Sequence, residues 1–250
     1  MLDLDSGRSI RSATRAGWNT FLGHPPDRYR RSFRAEFDRR VRNALLPDSA
    51  ILDVGSGRVP TLSRQERPTG CRYTGLDISR SELDRATSGS YDDHVAADVS
   101  ELIPSLSGCY DLAVSFQVFE HVKPLDKALE NLRSYLRPGG RLVAQMSGTF
   151  SLFGLANRLT PQPISVWLLR ALHDRNPESI YPAHYHRCWY DALVASLSGW
   201  SRVEVIPWWW GAPYFRFLRA LHAGYIAYEE WARFGGHRNL APFYIVDAVR

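Results

Sequence analysis

Short apolar runs recur along the chain, and each has an acidic or polar residue within one position of its last residue. They cover residues 50–54, 73–78, 94–97, 110–116 and 141–146. The runs are largely continuous in apolar residues rather than alternating, which is typical of strands buried on both faces of a parallel sheet. The pattern therefore predicts at least five parallel strands that end in polar side chains.

Segments with helical spacing lie between these strands. Apolar positions recur at helical spacing over 31–46, a short helix is expected at 81–87, and residues 125–136 form an amphipathic pattern. Two further strands are expected at 202–206 and 243–249. Because strands alternate with helices, we predict an α/β fold, a doubly wound, Rossmann-like seven-stranded sheet with helices on both faces.

Two long segments, at about 147–200 and 207–241, carry no regular pattern. Each leaves the carboxyl end of a predicted strand, which is the edge where open α/β sheets bind ligands. We therefore expect these insertions to form a lid over a ligand site. Residues 1–46 are expected to form an N-terminal helical segment, and residues 47–250 a single domain that carries the lid.

The composition narrows the possible partners. The formal net charge is +5, and nearly all of the positive charge is arginine because lysine occurs only twice. The arginines are not gathered into a groove with stacking aromatic residues, so we expect no nucleic-acid partner. Cys71, Cys109 and Cys188 are far apart and predict no metal site. No leader or membrane-spanning run is evident, which predicts a cytoplasmic protein.

The first predicted strand ends in a glycine loop. The sequence Ala50-Ile-Leu-Asp-Val-Gly-Ser-Gly57 places Asp53 at the floor of the loop and lets the backbone at Gly55, Ser56 and Gly57 approach a ligand closely. A dinucleotide loop needs a third glycine, where this chain has Pro60. The loop indicates a nucleotide-like ligand whose identity the glycines alone do not decide.

The next strand ends add two carboxylates, Asp77 and Asp98. A carboxylate at the end of the second strand can accept hydrogen bonds from both hydroxyls of a ribose. This feature fits both NAD and S-adenosylmethionine.

A set of motifs taken together is more specific. It comprises Leu52-Asp-Val-Gly-Ser-Gly57, Gly75-Leu-Asp77-Ile-Ser, Ala97-Asp98-Val, Asp111-Leu-Ala-Val-Ser-Phe-Gln-Val-Phe-Glu120-His121-Val and the predicted tight turn Leu136-Arg-Pro-Gly-Gly140. The set resembles the class I S-adenosylmethionine-dependent methyltransferases, and most closely their small-molecule group. The resemblance covers about residues 45–150 and the two terminal strands.

The resemblance implies roles for the glycine loop and its neighbours. The loop Gly55–Gly57 would lie along the methionine part of S-adenosylmethionine, with Asp53 near its ammonium group. Asp77 would hold the ribose hydroxyls. Since many members of the family have a third glycine where this chain has Val59, the contacts around that residue depart from the family pattern.

The resemblance also implies contacts with the rest of the cofactor. Ile78 would cover the adenine, and Asp98 would accept a hydrogen bond from the adenine amino group beside Val99. Phe116 and Gln117 would line the methionine end, near the transferred methyl group.

His121 is the first candidate for a general base. A hydroxyl acceptor must lose a proton as it attacks the methyl group, and histidine titrates near neutral pH. His121 follows the strand that carries Gln117, in a loop expected to face the cofactor. The alternative is that His121 and Glu120 orient this loop structurally.

The insertions supply the candidate substrate contacts. His184 and His186 would share one side with Cys188 if the segment were extended, as contacts to the acceptor or as lid packing. In the second insertion, Trp209 and Tyr214 lie among aromatic residues that can stack on a sugar or an aromatic ring. The same residues could pack on the sheet or contact a membrane surface.

These observations predict a methyltransferase domain that uses S-adenosylmethionine to methylate a small molecule. The expected acceptor is a hydroxyl of a glycan, a glycolipid or a secondary metabolite. Two alternatives remain, namely an NAD(P)-dependent oxidoreductase and a non-catalytic protein that binds the cofactor or a membrane surface. The absence of a Tyr-x-x-x-Lys pair and the break at Pro60 argue against the oxidoreductase.

Overall fold

The computed structural model describes residues 26–150 and 182–250, and in this part seven strands form one sheet in the order β3-β2-β1-β4-β5-β7-β6. The predicted seven-stranded α/β fold is confirmed, with β7 antiparallel to both of its neighbours, β5 and β6. The strands are β1 (Ala50–Val54), β2 (Arg72–Asp77), β3 (Asp93–Ala96), β4 (Tyr110–Phe116), β5 (Leu136–Ser147), β6 (Arg202–Trp208) and β7 (Phe243–Val249).

Helices cover both faces of this sheet. In the described residues they are α1 (Phe33–Ala44), α2 (Arg80–Asp84), α3 (Leu125–Tyr135), α4 (Tyr190–Ser196) and α5 (Arg219–Phe234). None of these helices is both long and apolar enough to span a lipid bilayer.

Helix α1 belongs to the core of the sheet. Its first turn is capped by Ser32, whose side chain accepts a hydrogen bond from the amide of Ala35. Phe37 and Val41 lie one turn apart on the inner face of the helix and are fully buried in a cluster that includes Ile51 of β1. The N-terminal segment that the sequence set apart at residue 46 is thus packed on the sheet from Phe33 onward.

Helix α3 packs on the opposite face of the sheet and leads directly into β5. Leu129, Leu132 and Tyr135 are fully buried in the larger core cluster. The sequence predicted a tight turn at 137–140, but the structure includes these residues in β5 as an irregularity in its pairing with β4. Gly139 adopts a φ of 80° there, which gives the chain its bend without ending the strand.

Both insertions contain regular structure that the sequence pattern did not predict. Helix α4 lies near the end of the first insertion, whose residues 151–181 fall outside the described part of the chain. Helix α5 fills most of the second insertion, which the sequence indicated as irregular.

The sheet has its topological switch between β1 and β4. The chain moves from β1 to β2 and β3 on one side, and then crosses to β4 and β5 on the other. Ligands of doubly wound sheets bind beyond the carboxyl ends of the strands at this point. The glycine loop after β1 and the loop after β4 therefore flank the expected site.

Candidate functional site

The glycine loop after β1 needs glycine for two different reasons. Gly55 has a φ of 73° and Gly57 a φ of 53°, a region that residues with a side chain seldom adopt. A Cβ on Gly55 would lie 2.3 Å from a methyl carbon of Val118. Because the side chain of Ser56 is buried, the loop presents mainly backbone atoms at the carboxyl edge of the sheet.

Asp77 is tied to this loop by a hydrogen bond. Its Oδ2 accepts from the amide of Gly57 at 2.9 Å, and its Oδ1 accepts from the amide of Ser79 at 2.8 Å. Burial raises the pKa of Asp77, although the hydrogen bonds from these two amides partly oppose the shift. Among the described residues it forms no ion pair, so its remaining lone pairs can accept hydrogen bonds from ligand hydroxyls.

Asp53 lies below the loop rather than facing a ligand. The carboxylate is fully buried and accepts hydrogen bonds from the amide and hydroxyl of Thr61, at 2.7 and 2.6 Å, and from the hydroxyl of Tyr73 at 2.6 Å. Burial raises the pKa of Asp53 against these hydrogen bonds. We therefore correct the expected contact with an ammonium group: Asp53 fixes the path of the loop.

The two residues expected at the adenine differ in exposure. The side chain of Ile78 is 63% exposed, which is unusual for isoleucine and leaves its apolar surface available for a ring. The side chain of Val99 is buried in the core, so it offers a ligand no apolar surface. Asp98 accepts two hydrogen bonds from Ser100 on Oδ1, and no described residue donates to its Oδ2.

Tyr91 was missed by the sequence reading. Its hydroxyl donates a hydrogen bond of 3.0 Å to the carbonyl oxygen of Gly57, and its ring is stacked on Tyr73. The residue precedes the short strand β3 in a polar segment that carries no motif. It braces the loop from the side of β2 and β3.

The end of β4 presents an aromatic ring and an amide. Phe116 is stacked on Phe33 of α1 at a centroid distance of 6.1 Å. Gln117 has a φ of 59° and its side-chain amide donates a hydrogen bond of 2.7 Å to Oε1 of Gln145. Gln145 is fully buried on β5, and its Nε2 has no hydrogen-bond partner among the described residues.

His121 lies in the short turn that follows. Its Nδ1 is 3.2 Å from the carbonyl oxygen of Pro182, which lies in the first insertion. The neighbouring Glu120 is buried, and its Oε1 accepts a hydrogen bond of 2.9 Å from the hydroxyl of Ser147 at the end of β5. Burial raises the pKa of Glu120, while the adjacent His121 opposes the shift.

The segment around His184 and His186 is not extended. Tyr185 and Arg187 both have positive φ, so alternate residues do not share one side as the sequence reading assumed. His184 is exposed, and the Nδ1 of His186 accepts a hydrogen bond of 3.2 Å from the first amide of α3.

Cys188 does not share a site with the side chains of the two histidines. Its thiol is fully buried within hydrogen-bond distance of the carbonyl oxygens of Phe119 and His186, and burial raises its pKa. This segment packs the first insertion against the loop after β4. Of its two histidines, only His184 is free to meet a ligand.

The aromatic residues of the second insertion differ widely in exposure. Trp209 is 9% exposed and belongs to the core, which removes it from the surface expected to meet a substrate. Tyr214 is 43% exposed and its ring lies 6.2 Å from that of Phe243. Trp210 donates its ring N–H to the carbonyl oxygen of Tyr29, so the chain before α1 is joined to this insertion.

Comparison with known proteins agrees with this geometry. The family described as "Methyltransferase domain" matches residues 27–197. The chain is 36% identical over 115 residues to a malonyl-[acyl-carrier protein] O-methyltransferase of Enterobacter lignolyticus, covering 43% of this chain and 45% of that protein. It is 27% identical over 128 residues to a ubiquinone biosynthesis O-methyltransferase of a Chelativorans species, covering 49% and 50%.

A solved structure extends the likeness in fold. A SAM-dependent methyltransferase from Archaeoglobus fulgidus superimposes with a TM-score of 0.52 at 17% identity, covering 87% of this chain and 92% of that one. The sequence matches span only about half the length of the curated relatives. The family match covers more than half of the chain and confirms S-adenosylmethionine, rather than NAD, as the cofactor. The protein is therefore a member of the methyltransferase domain family.

Proposed function

We propose that the protein transfers the methyl group of S-adenosylmethionine to a hydroxyl oxygen of a small molecule. The observation that carries this proposal is the contact between Nδ1 of His121 and the carbonyl oxygen of Pro182, beside the strand end that bears Gln117. It supports His121 as a general base at the edge of the sheet where the glycine loop lies.

The contact with Pro182 selects one tautomer of the imidazole. A carbonyl oxygen can only accept a hydrogen bond, so Nδ1 of His121 must carry the proton. In the neutral ring, Nε2 then has a free lone pair that can take a proton from an acceptor. A carboxylate acceptor has no proton to lose, so an oriented base favours a hydroxyl acceptor over a carboxylate.

The acceptor is proposed to lie over the ends of β4 and β5 and the beginning of the antiparallel β7. Phe33 sits there between Phe116 and Phe243, with its ring centroid 4.2 Å from that of Phe243. These rings offer an apolar surface for a flat or ring-shaped acceptor. Gln145, which Gln117 holds in place, has an unpaired amide N–H that can donate to an acceptor oxygen.

The names of the two relatives support oxygen as the methylated atom. Both are O-methyltransferases, one for malonyl-[acyl-carrier protein] and one in ubiquinone biosynthesis. Within this class, we propose a hydroxyl of a secondary metabolite, a glycan or a glycolipid. The aromatic surface at Phe33 favours acceptors that contain a ring.

A labelling experiment tests the proposal. The full-length protein is incubated with S-adenosylmethionine that carries a tritiated methyl group and with separate pools of phenols, glycosides and carboxylic acids. Label in a base-stable methyl ether supports the proposal. Label only in base-labile methyl esters contradicts the hydroxyl acceptor, and binding of S-adenosylhomocysteine without transfer to any pool supports the non-catalytic alternative.

Variants of Gln145 refine the same experiment. We expect Gln145→Leu to raise the KM of the acceptor about tenfold, because one hydrogen bond of about 1.4 kcal/mol is lost. Binding of S-adenosylhomocysteine should stay unchanged. An unchanged acceptor KM would exclude Gln145 from the acceptor site.

A further inference from the structure

The second insertion exposes a group of large apolar side chains. Phe217 is 80% exposed, Leu218 53%, Trp231 53% and Phe234 77%. Large apolar residues exposed together on one surface mark sites of interaction with a membrane or another protein. None of these residues is among the rings of the candidate acceptor site, which are Phe33, Phe116 and Phe243.

Helix α5 has an outward face without any charge. The residues at 220, 224, 227, 231 and 234 recur every three or four positions, so they share one side of the helix. They are Ala220, Gly224, Ala227, Trp231 and Phe234, and all but the half-buried Ala227 are exposed. The helix buries its opposite side, including Ile226 and Glu229, against the rest of the protein. We call the five outward residues the outer face of α5.

The charges around the outer face are predominantly positive. Residues 207–241 contain four arginines and two acids, Glu229 and Glu230. Glu229 is fully buried and accepts hydrogen bonds from Tyr29 and the amide of Gly211. Glu230 pairs with Arg28 at 3.0 Å. Arg28 pairs with both acids, and Glu230 also lies 4.0 Å from Arg233, so neither acid of the insertion is left without a cationic partner.

Two of the arginines are not paired in the described structure. Arg216 and Arg219 are exposed, flank Phe217 and Leu218, and form no ion pair with a described residue. An apolar helix face bordered by exposed arginines is typical of helices that lie in the interface of an anionic bilayer. With 16 residues, two of them acids, α5 is neither long nor apolar enough to cross a membrane.

We propose that the outer face of α5, together with Phe217 and Leu218, binds the surface of an anionic lipid bilayer. The aromatic side chains enter the interface, and Arg216 and Arg219 meet lipid phosphates. Trp209, a candidate membrane contact from the sequence, is buried, and the indole of the adjacent Trp210 is bonded to Tyr29, so the membrane contact is assigned to this surface instead. The proposal does not depend on the acceptor.

Vesicle flotation of the full-length protein tests the proposal. The probes are vesicles of phosphatidylcholine alone and vesicles that also contain phosphatidylglycerol. We expect flotation with the anionic vesicles, a large loss at high salt, and at least a tenfold lower bound fraction for Trp231→Asp/Phe234→Asp. The matched control is Leu46→Asp/Leu102→Asp, which changes two exposed apolar residues outside this surface (63% and 58% exposed) and should float like the wild type.

A second pair of variants isolates the charge. Arg216→Gln/Arg219→Gln should reduce binding to anionic vesicles, whereas Arg42→Gln/Arg72→Gln, which removes equal charge elsewhere, should not. Calorimetry with S-adenosylhomocysteine should give the same affinity for all variants, which separates this proposal from the methyltransferase function. The proposal is overturned if the wild type stays unbound, if Trp231→Asp/Phe234→Asp floats normally, or if light scattering shows a dimer that this variant dissociates.

Discussion

The amide of Gly57 donates a hydrogen bond of 2.9 Å to Oδ2 of Asp77 and joins the glycine loop to the end of β2. The two residues lie on neighbouring strand ends and position each other before any ligand binds. Asp77 therefore has two tasks, to orient the loop and to offer its remaining lone pairs to a ribose. A change at either residue is expected to affect both parts of the cofactor site.

Gly55→Ala is expected to destabilise the protein by about 2 to 5 kcal/mol. Its positive φ contributes roughly 1 to 2 kcal/mol of strain, and the clash of the new Cβ with Val118 adds about 1 to 3 kcal/mol. Urea denaturation followed by circular dichroism measures the change in the free energy of unfolding.

Gly57→Ala is the matched control for that variant. Gly57 also has positive φ, but a Cβ there meets its nearest neighbour, Oδ2 of Asp77, at 3.6 Å. We expect a loss of only about 1 to 2 kcal/mol. Val118→Ala should restore part of the stability of Gly55→Ala. Equal losses for both glycine variants would contradict the role given to Val118.

The strand ends could be predicted from the sequence because a parallel sheet leaves little choice. Each strand is an apolar run, and the polar residues that end the runs must meet at the carboxyl edge. The sequence could not show which carboxylate turns outward. Asp53 and Asp77 both lie at the ends of apolar runs, yet Asp53 is fully buried and bonded to Tyr73 and Thr61, while Asp77 is half-buried and keeps lone pairs free.

Helix α5 escaped prediction for a physical reason. An amphipathic pattern is visible only if one side of a helix is polar. In α5 the exposed outer face carries Trp231 and Phe234, while the buried side carries the charged Glu229, so the sequence did not show which side faces the core. The burial of Trp209 could not be predicted either, because a run of aromatic residues has the same sequence pattern whether it packs in the core or contacts a ligand.

Ile78→Ala is expected to weaken binding of S-adenosylhomocysteine about tenfold, or ~1.4 kcal/mol, with little effect on stability. The side chain is 63% exposed, so its loss costs the fold little. Calorimetry measures the affinity, and Leu46→Ala is the control at the same exposure. If the two variants bind alike, Ile78 does not cover the adenine.

His121→Gln is expected to retain cofactor affinity and to lose turnover by about 100-fold or more, the lower end of the usual contribution of a general base. Glutamine can still donate to the carbonyl of Pro182, but it cannot take a proton. The measurement is kcat on the acceptor found by labelling, and wild-type turnover would exclude a role as base. Calorimetry with S-adenosylhomocysteine serves as the control.

Asp247→Asn is expected to destabilise the protein by about 2 kcal/mol at neutral pH, because it removes the partner of Arg141 and Arg40. Burial opposes ionisation of Asp247, but hydrogen bonds from these arginines, at 2.6 to 2.8 Å, outweigh it and lower its pKa. The carboxylate thus contributes stability above its unfolded pKa of about 3.9, and this contribution is lost as the pH falls through the lower folded pKa.

The difference in stability between wild type and Asp247→Asn should therefore shrink as the pH falls below about 4. Urea denaturation across this range provides the measurement. Glu204→Gln is the control, since Glu204 also bonds Arg40 but is 58% exposed, and we expect a change below about 0.5 kcal/mol. A difference that stays constant down to pH values well below 4 would contradict the assigned network.

Calorimetric titration with S-adenosylhomocysteine, for the wild type and Asp77→Ala, tests the central claim that this edge of the sheet holds the cofactor. We predict binding by the wild type and a loss of at least about 100-fold in Asp77→Ala, since a charge-assisted hydrogen bond contributes about 1.5 to 3 kcal/mol and the loop also loses its anchor. Thermal unfolding should show that the variant is still folded. No binding by the wild type, or equal affinity in both proteins, would contradict the account.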